Sequence, residues 1–314
     1  MPLALPFFCG RRMGLMRLGL RIHLALLVAL APVCVRSVQP QESATSATHE
    51  SSARPDVEDL IRQSGADVSV AFRSLDGGQE LLIRADRPFE DSLSMKIPVM
   101  IELFAQADAR MLRFTDTVRV HPIFRSTADR SPYIIDLASG DDLAHAAGKT
   151  MTLRQLCETM IIGNSDIAAN LLIEKLGLEA IQNRIHVLGG DGMVLASGFG
   201  DTKAAAKGLK NVTTARALMT LLLALAQNRV VSDDASQQMV GLLANSRLPG
   251  SIVGIASSPS LAANQRPSPT GDQHDAAIIF GARSFVLVTD VRGLTPQDSS
   301  ALVAQISHLL AAAI

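Results

Sequence analysis

The chain is predicted to be an α+β protein whose antiparallel sheet is assembled from both of its ends. Three observations predict this. Alternating, β-rich stretches occur near residue 70 and again near residue 285, and the residues between them read mostly as helices. Hydrophobic residues make up 47% of the 314, enough for a large core and far from a disordered composition.

The elements follow in order. Val68 to Phe72 alternates, Asp76-Gly77-Gly78 supplies turn chemistry, and Glu80 to Arg84 alternates again, which is a hairpin pattern. A helix starts at about Ser92, with Ile97, Met100, Ile101 and Phe104 at helical spacing. Thr152 caps a helix running to Ile162. Gly163 to Asp166 interrupts it, and Ile167 to Leu176 resumes and stops at Gly177. Thr213 or Thr214 caps another helix through Ala226. Ala276 to Phe280 and Ser284 to Thr289 read as strands paired around Gly281, and Thr295-Pro296 opens a final helix to the C-terminus. There is no internal repeat.

Charge and composition set the surroundings of this fold. The formal net charge is −1, but the first 37 residues hold Arg11, Arg12, Arg17, Arg21 and Arg36 and no acid. Without those five bases the body has 24 bases against 30 acids, a net of −6. An acidic body argues against nucleic acid as a partner, and a chain with no Trp and one Tyr, Tyr133, lacks a stacking platform for bases. Arg11 to Arg21 reads as the positive region of a secretory signal. Ile22 to Val35 is its apolar stretch, shorter than a membrane span needs. Residues 1–37 are therefore expected to be a signal peptide, and the Ser/Thr-rich residues 38–55 a flexible linker. Residues 56–314 are expected to be one domain. The expected location is exported, periplasmic or secreted, with a membrane tether if the N-terminus stays uncleaved. Of Cys9, Cys34 and Cys157, only Cys157 remains after cleavage, so the domain must hold by core packing.

Several familiar motifs fail on inspection. Gly148-Lys149-Thr150 resembles the end of a phosphate loop, but the loop's first glycine would fall at Leu143 and no strand precedes it. No Gly-x-Ser-x-Gly elbow exists. The seven histidines show no metal-ligand spacing, and His274, just before a strand, reads as a structural histidine.

Four stretches in the right order resemble serine β-lactamases of the class A type. Phe89 to Glu102, which contains Lys96, resembles their nucleophile helix. Ser131-Pro-Tyr133, Leu153 to Ile162 and Asn164 to Gly177 resemble the loop and helices that carry Ser-Asp-Asn. Asp201-Thr-Lys203 and Gly208 to Arg216 resemble the following segment, and His274 to Phe280 the strand after Lys-Thr-Gly. The resemblance runs from about residue 57 to the end. It implies a β-lactamase-like fold, with the sheet and its flanking helices joined to an all-helical lobe, and a serine hydrolase site acting on cyclic amides.

The chemistry implied by that resemblance is degraded at each motif. In Ser-x-x-Lys the serine and lysine share a helix face, so the amine takes the hydroxyl proton. Here the residue three before Lys96 is Leu93, and none of the six lysines has Ser or Thr three residues before it. Ser92, four before Lys96, shares its face and is either a helix cap, as is Asp91, or a displaced nucleophile; Ser94 faces away. The Ser-Asp-Asn positions read Asn164, Ser165 and Asp166, so an amide stands where a hydroxyl shuttles a proton. A one-residue slip would present Ser165 instead, which otherwise, like Asp166, serves as a helix cap. Lys-Thr-Gly falls on Gln265-Arg266-Pro267. Arg266 supplies a positive charge, Thr270-Gly271 keeps a fragment, and Pro267 argues against an inner strand. The acid that would activate the deacylating water aligns with Gly200, beside Asp201.

The residues expected at the catalytic site are thus Lys96, Ser92, Ser165, Asn164 and Asp166, with Arg266, Thr270 and Gly271 at the ligand. Losing a nucleophile alone lowers turnover by about 10⁴–10⁶. The expectation is an exported class A-like protein with weak or no β-lactam hydrolysis, a pseudoenzyme. The alternatives are a working serine hydrolase using Ser92 with Lys96, and a peptidoglycan-related binding protein. The expected ligand is a small β-lactam or peptidoglycan-like molecule. No cofactor, metal or nucleic acid is expected, and the protein is expected to act as a monomer.

Overall fold

The computed structural model of the chain describes residues 48–90, 94–135, 140–245, 252, 261–264 and 272–314. They belong to one compact unit, Thr45–Ile314. Its main sheet has six strands, β1 (His49–Glu50), β2 (Asp67–Ser74), β3 (Gln79–Ile83), β10 (Leu261–Asn264), β11 (Gln273–Ile279) and β12 (Phe285–Arg292). Their order is β1-β3-β2-β12-β11-β10, so strands from the start and end of the chain interleave. The joint between the two ends is the antiparallel ladder from Phe285↔Ser74 to Arg292↔Asp67. The early hairpin, the late hairpin and the α+β arrangement are those the sequence predicts. β10 is an edge strand; Gln265, Arg266 and Pro267, where an inner strand is not expected, lie outside the described residues.

Both faces of this sheet are covered, which explains why β11 and β12 are apolar almost throughout. Side chains alternate between the faces. Val68, Val70, Phe72, Ala277, Ile279, Phe285 and Leu287 face one way. They pack against α1 (Arg54–Ser64) and the final helix α9 (Pro296–Ala312). Ala71, Ala276, Ile278, Val286 and Val288 face the other way, toward α7 (Ala215–Ala226) and the helical lobe. His274 and Asp290, cross-strand partners, fall on this second face by the same alternation.

The lobe is built from α2 (Lys96–Asp108), α3 (Leu153–Ile162), α4 (Asp166–Leu176), α5 (Leu178–Val187), the short α6 (Thr202–Ala206) and α8 (Asp233–Ala244). Helix α2 is the central one, with every residue from Lys96 to Ala105 buried, as expected of a helix that is apolar on all sides. The surrounding helices start where the sequence offers a cap. The side chains of Thr152, Ser165, Thr214, Ser232 and Thr295 each accept the N–H three residues on, worth about 1 kcal/mol apiece. Thr214, rather than Thr213, caps α7. Three small ribbons complete the unit: β4 (Pro88–Glu90) with β9 (Val212–Thr214), β5 (Thr117–Arg119) with β8 (Thr150–Thr152), and β6 (Ile123–Arg125) with β7 (Pro132–Ile134).

The structure also adds to the sequence reading. Ordered elements begin inside the stretch read as linker, because β1 pairs with β3 and α1 starts at Arg54. Helix α1 has the punctuation of a helix, Pro55 at its start and Gly65 at φ 68 after its end. Helix α2, expected from about Ser92, is seen from Lys96, led in by a turn containing the buried Ser94; residues 91–93 lie outside the described residues. No described helix is long and apolar enough to cross a membrane.

Candidate functional site around Lys96

Lys96 opens α2 and is 0% exposed. A buried ammonium is tolerated only when it is paired and fully hydrogen-bonded. Its Nζ donates to the Asn164 carbonyl at 2.8 Å and to Asn164 Oδ1 at 2.6 Å, and forms an ion pair with Asp166 Oδ1 at 2.7 Å. The Phe199 ring lies 5.2 Å from Nζ, centroid to nitrogen, within cation–π range.

The break between α3 and α4 positions these acceptors. Asn164 adopts φ 57, a left-handed conformation that asparagine tolerates better than most residues. Gly163 before it has no room for a side chain, since a Cβ there would stand 2.7 Å from Asp142 Oδ2 and 2.9 Å from the Thr159 carbonyl. Ser165 after it is buried. Its hydroxyl donates to Asp141 Oδ1 at 2.6 Å and accepts from the Ala168 N–H at 3.0 Å. Asp141 Oδ2 accepts the Ile167 N–H at 3.0 Å, which ties the α4 N-terminus to the preceding loop. The Ser165 hydroxyl is therefore spoken for, in the capping role, and it is Asn164 that faces Lys96. Asp166 begins α4, where a carboxylate is favoured, and its side chain is 39% exposed.

A second set of bonds brings Phe199 to the lysine. Asn170 on α4 donates from Nδ2 to the Phe199 carbonyl at 2.9 Å and accepts the Phe199 N–H at 2.7 Å, so its side chain behaves like a strand partner for that residue. The same Nδ2 reaches the Tyr133 hydroxyl at 3.2 Å. Burial, then the Asp201 carboxylate, push the Tyr133 phenol far above its ordinary pKa. Asn211 closes the loop by accepting the Ala196 and Ser197 N–H groups at 2.8 and 3.0 Å. Beneath the loop lies a pocket of about 290 Å³, with Phe199 in its wall and Glu90 and Lys210 among its lining residues.

No carboxylate of this loop pairs with Lys96. Position 199, one before Gly200, is the one that faces Lys96, and it is phenylalanine. The neighbouring Asp201 is buried and turned to Ser126 Oγ at 2.9 Å, the Thr127 N–H at 2.9 Å and the Ala204 N–H at 3.0 Å. It caps α6 and activates nothing at Lys96.

Lys96, Asn164 and Asp166 are thus brought together, with Ser165 adjacent but directed elsewhere. Ser92, Leu93, Arg266, Thr270 and Gly271 lie outside the described residues. Sequence reasoning missed Phe199, Asn170, Asp141 and Tyr133. Asn170 lies within the Asn164 to Gly177 stretch that carries the resemblance, a usable signal; nothing local marks Asp141. His274 stacks on Phe89, centroids 4.6 Å apart, and its Nδ1 lies 2.8 Å from buried Asp290, which also pairs with Arg292 at 2.8 Å. Among the described residues no cluster of His, Cys, Asp and Glu is placed to hold a metal.

Comparison with known proteins puts this geometry in context. The model of the beta-lactamase enzyme family matches residues 52–314. The structure of PBP-A superposes with a TM-score of 0.69 at 18% identity, covering 85% of this chain and 97% of that one. A β-lactamase from Sphaerobacter thermophilus DSM 20745 gives a TM-score of 0.68 at 21% identity, covering 82% and 94%. An ancestral class A β-lactamase gives 0.69 at 20%, covering 83% and 100%. No curated protein sequence matches the chain.

Proposed function

The chain belongs to the beta-lactamase enzyme family, and from that premise we propose that it is an exported member whose cleft binds its ligand without efficient β-lactam hydrolysis. The observation that carries this reading is the state of Lys96. Among the described residues three acceptors, one of them the Asp166 carboxylate, surround its nitrogen, an arrangement that favours the ammonium, which has no lone pair for a serine proton. The hydroxyl that would need that base is replaced by Leu93. From the 197–201 loop it is Phe199, not a carboxylate, that faces the lysine, so a water that would cleave an acyl intermediate lacks an activator on that side.

The family supplies the ligand class. A PBP-A variant, L158E, forms an acyl-enzyme with penicillin G. We extend from that protein the shape of the cleft, not the covalent step. The ligand is then a β-lactam or a peptidoglycan-like molecule held non-covalently. The basic, apolar N-terminus supports export to the periplasm or beyond.

Incubation with penicillin G followed by intact-mass measurement, together with a chromogenic cephalosporin assay, tests the reading. The expected result from folded protein is no mass increase, with turnover lower by about 10⁴ or more than that of an intact serine enzyme. A covalent adduct mapping to Ser92 would overturn it in favour of a displaced nucleophile.

A further inference from the structure

The outward face of the β6–β7 ribbon carries an apolar pair at one end and cations at the other. Ile123 and Ile134 are cross-strand partners, and so are Arg125 and Pro132. Side chains alternate along each strand, so these four share the exposed face while Phe124 and Tyr133 are buried on the other. Ile123 is 55% exposed and Ile134 59%. A lone exposed isoleucine is ordinary, but two that oppose each other across a ribbon lie about 5 Å apart and make one apolar patch. The turn of the ribbon, residues 126–131, is closed by the Ser126 N–H on the Ser131 carbonyl and the Arg130 N–H on the Ser126 carbonyl, both at 2.9 Å. Four cations meet at this turn. Arg130 stands in it, and Arg125 donates to the Arg130 carbonyl at 3.3 Å. Lys203 donates to Ser131 Oγ at 2.7 Å and to the Pro132 carbonyl at 2.9 Å, and Lys207 to the Ala128 carbonyl at 3.4 Å. All four are exposed, and among the described residues none is paired with a carboxylate. The nearby acids are engaged elsewhere. Asp129 folds back on the Ser131 N–H and hydroxyl at 2.9 and 2.6 Å, and Glu174 faces His121 at 3.3 Å. Buried Asp201 binds Ser126 Oγ and the Thr127 N–H, which fixes α6 and its lysines against the turn.

We propose that this ribbon docks on an anionic lipid surface. Ile123 and Ile134 enter the boundary between headgroups and acyl chains, and Arg125, Arg130, Lys203 and Lys207 take lipid phosphates. The present partners of Arg125 and the two lysines are carbonyls and a hydroxyl, so they turn to phosphate without first breaking an ion pair, and gain charge-assisted bonds in exchange. Charge alone would fit a soluble polyanion equally well. The isoleucine pair selects a lipid, because a polyanion in water offers nothing in which it can be buried. The charge of the whole body sets the orientation. Residues 38–314 carry a net of −6, so most of the surface is repelled by anionic lipid and the basic ribbon is presented to it. The inference does not depend on what the Lys96 cleft holds.

The test is flotation of the full chain with vesicles of phosphatidylglycerol mixed equally with phosphatidylcholine. Every variant keeps the same basic N-terminus, so the ratio of variant to wild type isolates the ribbon. Lys203→Gln with Lys207→Gln should weaken binding by about fivefold for each charge removed. Ile123→Ser with Ile134→Ser should weaken it by about fourfold or more, the worth of a single buried methylene. The substituted side chains are all exposed, and a second measurement needs no variant. Hydrogen exchange of the wild-type chain should slow in residues 120–135 when the anionic vesicles are added, and should stay unchanged with phosphatidylcholine vesicles. Unchanged vesicle binding by either double variant, or no slowing in that segment, overturns the proposal. Equal slowing by inorganic polyphosphate overturns it in favour of a soluble polyanion.

Discussion

Gly198 gives a direct test of how the loop is held against Lys96. A Cβ at this position would stand 2.3 Å from the Tyr133 hydroxyl oxygen and 3.0 Å from Asn170 Oδ1. Neither neighbour yields easily. Tyr133 is buried, its ring 5.9 Å from that of Phe124. Both polar atoms of Asn170 are committed to Phe199, at 2.7 and 2.9 Å. Gly198→Ala therefore either overpacks the contact, at about 1–3 kcal/mol, or shifts the loop and gives up the Asn170 bonds, at about 1 kcal/mol each. The two routes together span about 1–3 kcal/mol. At about 2–4 °C per kcal/mol for a body of this size, the Tm should fall by about 2–12 °C. The companion variant is Tyr133→Phe, which removes the clashing atom and, alone, one hydrogen bond worth about 1 kcal/mol. Urea unfolding of both single variants and the double completes the cycle. The double variant should lose less than the sum of the singles by about 1 kcal/mol or more. Strict additivity would refute the claim that the Tyr133 hydroxyl excludes a side chain at 198.

Three further outcomes follow from the same geometry. Ser165→Ala should lower stability by about 1–2 kcal/mol through the lost cap and the lost bond to Asp141, read by urea unfolding, with no change in penicillin labelling. Leu93→Ser by itself should leave penicillin G unattached, because Lys96 offers no lone pair; an adduct by intact mass would show that the clamp on the lysine opens. Burial raises the Glu174 pKa, with His121 pulling it partly back. The folded state therefore binds that proton more tightly than the unfolded state, and stability is lost as pH rises from about 4.3 through the folded value. Glu174→Gln should accordingly raise the Tm at pH 7, with the gain shrinking toward zero below about pH 4.

Much of the fold is legible because period and punctuation agree in the sequence. The two hairpins alternate, and Thr152, Thr214 and Thr295 each stand at the head of an apolar run. Helices α1, α5 and α8 lie outside the predicted elements although the sequence punctuates two of them, Pro55 and Gly65 around the first and Ser232-Asp233-Asp234 opening the last. The ribbons escape detection for another reason: Thr117 pairs with Thr152 across a long intervening segment, and no local pattern encodes that. The site divides in the same way. Lys96, Asn164 and Asp166 are foreseen together because motif spacing carries them. The direction of the Ser165 hydroxyl depends on Asp141, 24 residues earlier. That Phe199 rather than Gly200 faces the lysine depends on a side chain, Asn170, mimicking a strand. Such through-space choices leave no periodicity to read.

The interleaved sheet also sets a timetable. β12 lies between β2 and β11, so the middle of the sheet is supplied by residues 285–292, near the end of the chain, and by residues 67–74, near its start. Closing a loop of that length is entropically slower than bringing together α2, α3, α4 and α5, which all lie between residues 96 and 187. As the chain emerges, the helices have partners at hand while the early hairpin waits with an apolar face and an unpaired edge, the kind of surface that recruits other chains. Losing the last strand and helix would then not trim a border. It would remove the keystone between two half-sheets and leave the first one permanently open.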